Sequence, residues 1–478
     1  MIKNLIIGSF IFRFVGMSYL KPWRGLCIND DDNTMIFQTQ QQMKFLAGYS
    51  PRELWIRGTA GSGKTYLLIE KALTLAQGIL SDPTKTNEKI LVLCCNPILR
   101  KALEKTINGY LQVPEARDVS SFLHCKTFTE LVVELASLSW SPRNNIEKEM
   151  SVNWALGKLK EEDDVFMYDH ILADEGQDLY GTKWPTLLKH IHKGSKGSAQ
   201  EARPGFFWVM YDVNQHLYLG KKSPRSHFDG IQNNAELNVV FRNTDNIFKQ
   251  SKKYFKSSMS NGSPITLGHE VTGLPIEWDD SLASCSVIPE GTRLVVRLEK
   301  EIPQGARLEE EIPQGARLVV SGEEIQQGAR LKEEIQQGAR LVVNWIEKLE
   351  KEKVLPKDIC VLVQNQEKQR LLRDEIERIG WNSQTADDLL ENSRNCAVVE
   401  SIQRFKGLES KVVILFNPPF QGYSQFCTKE LLYAAVSRCS CFLVVISSKE
   451  GCIALKSDVG INEVDRGQTG RLIPLLRF

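Results

Sequence analysis

The chain has 478 residues, with 60 Lys+Arg against 59 Asp+Glu, for a net charge of +1. That balance excludes a histone-like or polybasic binder, while a local basic groove on a nucleic-acid enzyme stays compatible with it. At 42% hydrophobic and 25% charged residues the composition is globular rather than disordered.

The 11 cysteines contain no Cys-x-x-Cys. Their tightest pairs, Cys94-Cys95 and Cys439-x-Cys441, do not have zinc spacing. Reduced thiols in an intracellular protein of nucleus or cytoplasm are the simplest reading. Residues 1–20 are apolar but broken by Arg13 and too short to cross a bilayer. They are a targeting segment or anchor, a buried segment, or the end of a truncated upstream domain. The polar run 29–34 marks a boundary, so 1–34 reads as a separate N-terminal segment.

From 35 to 248 short apolar runs alternate with helical stretches. That alternation predicts an α/β unit whose parallel sheet is covered on both faces. ELWIR leads into Gly58-Thr59-Ala60-Gly61-Ser62-Gly63-Lys64-Thr65 and then TYLLIEKALTLA, which reads as strand, glycine-rich loop and helix. This is the context a G-x-x-x-x-G-K-[ST] phosphate loop requires. Its glycines let backbone N–H groups curl around phosphate oxygens at a helix N-terminus. Lys64 is expected to reach the β/γ-phosphates of ATP and Thr65 to ligate Mg²⁺. Downstream, the apolar run HILA ends in Asp174-Glu175-Gly-Gln-Asp. One carboxylate at such a strand end can hold Mg²⁺ while its neighbour activates water. Asp174 is expected in the first role and Glu175 in the second.

The second unit, 249–478, carries a repeat at about 290–343. EIPQGARLEEEIPQGARLVV at 301–320 recurs as EIQQGARLKEEIQQGARLVV at 324–343. The array reads as a solvated, flexible tandem insertion ahead of the helix NWIEKLEKEK. Strand-like DICVLVQN, an amphipathic helix, a basic turn between two strand-like runs, and a final helix and strand follow. The whole chain is therefore expected to be α/β, in two units.

Taken in order, further segments make the chain resemble a superfamily 1 helicase of the Rep/UvrD type across roughly residues 37–447, apart from the repeat. Phe37-Gln-Thr-Gln-Gln41 resembles the adenine-reading Q motif, with Gln41 on the base. Segments around Asn96 and around Thr127-Phe128 resemble two motifs that line the nucleic-acid path. Asp212-Val-Asn-Gln215-His-Leu-Tyr218 resembles a motif whose glutamine senses the γ-phosphate and whose tyrosine stacks on a base. Phe241-Arg242 resembles a pair in which the aromatic stacks on adenine and the arginine reaches the γ-phosphate. Ser401-Ile-Gln-Arg404-Phe-Lys406-Gly407-Leu-Glu409 resembles the T-x-H-x-x-KGLE motif, with Glu409 at the ribose. Tyr433-Ala-Ala-Val-Ser-Arg438 resembles the final motif, with Arg438 as a second arginine finger.

The resemblance implies two RecA-like domains, 35–248 and 249–478, with an ATP cleft between them. It implies ATP and Mg²⁺ as cofactors and single-stranded nucleic acid as partner, DNA favoured over RNA. Single strands are held by aromatic stacking in a cationic groove, for which Phe128, Tyr218, Arg404 and Lys406 are the candidates, beside Asn96 and Thr127. The chain departs from the family at Tyr211 (usually Gly), Gly220 (often Trp), Cys94 (usually Thr) and Gln403 (usually His). Only 78 residues separate Asn96 from Asp174, so the large accessory subdomains of these enzymes do not fit; an accessory protein or missing domain is a conceivable partner. An ATP-driven helicase or translocase is the expected function. The alternative is a nucleotide-gated switch or scaffold that moves along nothing. A small-molecule P-loop kinase leaves the Arg242, Lys406 and Arg438 segments without a purpose.

Overall fold

The computed structural model describes residues 20–23, 34–37, 40–46, 51–111, 119–142, 144–161, 167–193, 205–217, 228, 231, 234–255, 265–283, 297–298, 318–319, 322–392, 394–420 and 428–457. The apolar N-terminal run and Tyr218 lie outside these residues, as does most of the first repeat copy.

After a short helix, α1 (Gln40–Leu46), the first sheet is built from β1 (Glu53–Gly58), β2 (Ile90–Cys94), β3 (Leu123–Thr127), β4 (His170–Ala173), β5 (Phe207–Tyr211) and β6 (Asn234–Leu237). Their spatial order is β3-β2-β4-β5-β1-β6, and every pairing is parallel. Parallel neighbours need crossovers, and helices supply them. Helices α2 (Lys64–Ser81) and α3 (Pro97–Tyr110) pack on one face around Leu67, Leu68 and Leu103. On the other face lie α4 (Phe128–Leu135), α5 (Asn145–Glu161) and α6 (Trp184–Ile191), around Trp184, Leu187 and Ile191. With both faces covered, a central strand is apolar throughout, and all five residues of Ile90–Cys94 are buried.

The second sheet repeats the plan. Its strands are β7 (Glu277–Asp279), β8 (Ile359–Val363), β9 (Ser383–Gln384), β10 (Ala397–Ser401), β11 (Ser410–Phe416) and β12 (Cys439–Ile446). The order is β7-β12-β11-β8-β10-β9, again wholly parallel. One face carries α7 (Asp245–Lys252), α10 (Ala386–Glu391) and α11 (Thr428–Ser437). The other carries α8 (Gly322–Lys351) and α9 (Gln366–Arg378). A final helix, α12 (Lys449–Lys456), follows β12. The molecule is thus α/β with two RecA-like sheets. Ala60, Ile98 and Ala102 of the first unit share a core with the α7 and α11 face of the second.

The repeat departs from expectation. Its second copy is not a solvated insertion but two thirds of the 30-residue helix α8, continuous with the helix expected from Asn344 onward. Ile335, Ala339, Val342, Val343, Ile346 and Leu349 are all buried. They fall on one stripe at helical spacing, which faces the second sheet. The octet glycine has a specific use here. A Cβ at Gly338 would sit 2.2 Å from the Phe416 ring, so only glycine admits that contact. Glu334 accepts from Asn417 Nδ2 at 2.6 Å and Lys368 Nζ at 3.3 Å, tying the same octet to the end of β11 and to α9.

Candidate active site

The carboxyl ends of the first sheet carry the chemistry, as open parallel sheets dictate. After β1 the phosphate loop closes on itself. Gly61 (φ 75°) and Gly63 (φ 85°) are in the left-handed region, which favours glycine. The Ser62 hydroxyl donates to Thr59 O at 2.8 Å. The Lys64 amine donates to the Gly58 and Thr59 carbonyls, both at 2.9 Å. Burial lowers its pKa, against the pull of Asp212, Glu175 and Asp174. The buried Thr59 hydroxyl has no partner. A loop with left-handed glycines, a buried amine and a spare hydroxyl suits a triphosphate.

Asp174 follows β4. Its carboxylate accepts from the Thr65 hydroxyl at 2.7 Å and from Glu175 N–H at 2.9 Å. Burial, then the adjacent Glu175 charge, push its pKa up to about 6. A divalent cation would reverse that shift, and a hydroxyl beside a carboxylate is an oxygen pair that fits Mg²⁺.

Glu175 sits in the left-handed region (φ 52°) at the head of a single 3₁₀ turn. Burial would raise its pKa, but Lys406, Lys64 and Arg438 outweigh it and hold the group at about 2. Gln177 Nε2 donates to Glu175 Oε2 at 2.5 Å, and Gln177 Oε1 accepts from Asp212 N–H at 2.9 Å. Asp212, after β5, accepts from Gln215 Nε2 at 2.8 Å.

The second unit closes on this cluster. Arg438, just past α11, donates from Nη2 to Gln215 Oε1 at 2.8 Å. Its Nε and Nη1 reach the Ala434 and Leu408 carbonyls at 3.1 and 3.3 Å. Burial and the neighbouring Arg242 lower its pKa to about 10, so it stays cationic near neutrality. Arg242 ion-pairs with Glu409 and donates to Ser437 O at 3.4 Å. The two residues assigned by resemblance to γ-phosphate and ribose are here each other's partners. Phe241 N–H donates to Gly61 O at 2.9 Å, which brings this segment against the phosphate loop. Its ring lies against Gly268, where a Cβ would come within 2.3 Å. Tyr433 bridges the units, accepting from Ala60 N–H at 2.8 Å and donating to Asp212 Oδ2 at 3.3 Å.

Lys64, Thr65, Asp174, Glu175, Gln215 and Arg438 therefore join one polar cluster, and Arg242 and Glu409 border it. Gln41 lies in α1, with its side chain outside the described residues. Its neighbour Gln42 reaches the loop, donating to Ser62 O at 3.1 Å. A glutamine one position on in a helix points about 100° away, which a linear motif does not register.

Several residues expected at the strand are turned inward in this structure. Phe128 is not a free platform: it is buried and packs edge-on to Tyr180 at 4.9 Å. Thr127 caps α4, accepting from Glu130 N–H at 3.1 Å in a capping box. Asn96 caps α3, accepting from Leu99 N–H at 2.8 Å, and spends its amide on Lys406 O at 3.1 Å. Lys406 is not in a groove. It is fully buried, ion-paired to Asp178 and, at 3.3 Å, to Glu175, and donates to Gln215 O at 2.5 Å. Burial would lower its pKa, but Asp178 and Glu175 raise it. Arg404 is half-exposed and pairs with Asp387 and, at 3.6 Å, Glu400. Tyr211 fits a position usually held by glycine by turning into the core, stacked on Phe228 at 4.2 Å.

Gln177, Asp178, Asp212 and Tyr433 complete the cluster although no role was expected of them. A polar residue within a motif after an apolar run was the available signal, and it does not say which way the side chain turns.

The eight described cysteines are free thiols. No helix among the described residues is long and apolar enough to cross a membrane. Among them, no cluster of three or more His, Cys, Asp or Glu side chains could hold a metal ion. The Thr65–Asp174 pair is a smaller set of a different kind.

Residues 396–446 match the UvrD-like helicase C-terminal domain family. That segment contains the Ser401–Glu409 and Tyr433–Arg438 motifs, so the resemblance to Rep/UvrD-type helicases stands there on an independent match. No curated protein matches the chain. Among solved structures, the C-terminal domain of a possible DNA helicase from Lactobacillus plantarum WCFS1 is 20% identical, with a TM-score of 0.22. That match covers 25% of this chain and 73% of the other. The PRRSV helicase is 11% identical, with a TM-score of 0.33, over 90% of this chain. This chain spans 62% of that one's length.

Proposed function

We propose that this chain, a helicase-type protein by its C-terminal segment, hydrolyses ATP between its two sheets and moves on single-stranded nucleic acid, DNA favoured. The observation that carries the reading is Arg438 of the second unit seated 2.8 Å from Gln215 of the first, within the cluster that holds Lys64 and Glu175. In that arrangement neither unit has the whole site.

Phosphoryl transfer is catalysed mainly by positioning and charge neutralisation. The loop amides and Lys64 would bind the β- and γ-phosphates. Mg²⁺, held by Thr65 and Asp174, would neutralise charge between them. Glu175 would orient a water and take its proton as the water oxygen bonds to the γ-phosphorus and the bond to ADP breaks. Gln215 and Arg438, with Arg242 once released from Glu409, would stabilise the charge on the transferring group. Lys406 sits on Glu175 in this state, so the 402–408 turn must draw back to free the carboxylate. That turn is also where strand contact is expected, which would link nucleic acid to turnover. Closing and opening of the cleft would then step the protein along a strand.

A second reading, a nucleotide-gated switch that does not translocate, is favoured by one observation. Asn96, Thr127, Phe128 and Lys406, four expected strand contacts, are all buried. The two readings separate on the ATPase rate with and without single-stranded DNA. The motor predicts a stimulation of about tenfold or more, worth ~1.4 kcal/mol in the barrier. A flat response favours the switch.

A further inference from the structure

Tyr433 contacts both the glycine-rich loop and Asp212, at the end of β5, through its single polar atom. Its hydroxyl accepts from Ala60 N–H at 2.8 Å and donates to Asp212 Oδ2 at 3.3 Å. Asp212 Oδ2 also accepts from Gln215 Nε2 at 2.8 Å, and Gln215 Oε1 accepts from Arg438 at 2.8 Å. Tyr433 and Arg438 belong to the same structural piece. Tyr433 lies in α11, and Arg438 follows its last residue and bonds back to Ala434 O at 3.1 Å.

We propose that Tyr433 is a positioning residue that senses the state of the phosphate loop and, through α11 and Gln215, sets the place of Arg438. The inference rests on the ATPase reading and deepens it.

The physical argument has three parts. First, a phenol has one proton to donate. Burial and the Asp212 charge raise its pKa, so it keeps that proton, giving it to Asp212 while a lone pair takes the loop amide. Any shift of Ala60 as the loop receives phosphate must break or bend one of these two bonds. Second, the site is buried: Tyr433 is 1% exposed and Asp212 is 2% exposed. In such surroundings an unmade hydrogen bond is not refunded by water. Third, the ring is held independently of the hydroxyl, edge-on to Phe255 at 4.9 Å. Packing fixes the lever, and the hydroxyl reads the loop.

Tyr433→Phe keeps the ring and removes the sensor, so it is expected to fold. In the full chain, kcat for ATP should fall about tenfold while KM changes less than twofold. In an Arg438→Lys background the same substitution should have little further effect, because both act on one step. A purely structural role would instead lower the melting temperature and add in full to Arg438→Lys. Hydrogen exchange of a peptide spanning 429–438 should respond to ADP in the wild type and not in Tyr433→Phe. A kcat within twofold of wild type, full additivity, or an unchanged ADP response of that peptide would each overturn the inference. Wild-type-level turnover in Lys64→Ala would overturn the ATPase reading alone, since the exchange measurement needs no turnover.

Discussion

The residues expected at the triphosphate and those expected along a strand fare differently. Thr65, Asp174, Glu175, Gln215 and Arg438 meet in one cluster joined by hydrogen bonds or ion pairs, and Lys64 is coupled to its carboxylates by charge. Asn96, Thr127, Phe128 and Lys406 are turned inward as caps, core and a buried ion pair. The first set follows β1, β4 and β5, apart from Arg438, which lies between α11 and β12; Asn96 and Thr127 of the second set sit at strand ends as well. The second set depends on which way a side chain turns, and nearby donors, acceptors and apolar surface decide that.

The comparison can be broken most directly at Lys64. Lys64→Ala should abolish hydrolysis, a loss of at least about 10³-fold in kcat, because it removes a charge aimed at the transferring group. A multiple-turnover phosphate-release assay reads it. Lys406→Ala tests the inward-turned set. It strands Asp178 and Glu175 as buried charges, a loss of about 3–5 kcal/mol of stability. Chemical denaturation that finds the variant as stable as wild type would put Lys406 back on a surface. Gly338→Val probes the repeat helix. Its side chain must invade the Phe416 ring, so a loss of about 1–3 kcal/mol is expected. A neutral result there would restore the solvated insertion. Arg404→Ala should be the mildest, within about 1 kcal/mol of wild type, since its ion pairs are partly solvated. If strand binding is nonetheless weakened, with a reduced salt slope, Arg404 is the strand contact that survives from the expected set.

Much of the fold was legible. Continuous apolar runs such as Ile90–Cys94, alternating with helices, give two parallel sheets because such strands must be covered on both faces. The glycine-rich turn between β1 and α2 was legible to the residue, with Gly61 and Gly63 in the left-handed region. The repeat was not. Read as low complexity, the octet hides that Ile335, Ala339 and Val342 continue the stripe of the downstream helix. The contact of Gln42 with the loop is a matter of helical phase, which the motif does not carry. Tyr433 was visible only as the first letter of a motif whose last letter is an arginine. Its bridge to Ala60 spans 373 positions and has no local signature.

The shared pocket is tested most directly at Arg438. Arg438→Ala, compared with wild type in single-turnover hydrolysis and in binding of a non-hydrolysable ATP analogue, should lose about 10²-fold or more in rate while still binding nucleotide. Hydrolysis at the wild-type rate in that variant would mean that the first unit works alone and that no site is shared between the two sheets.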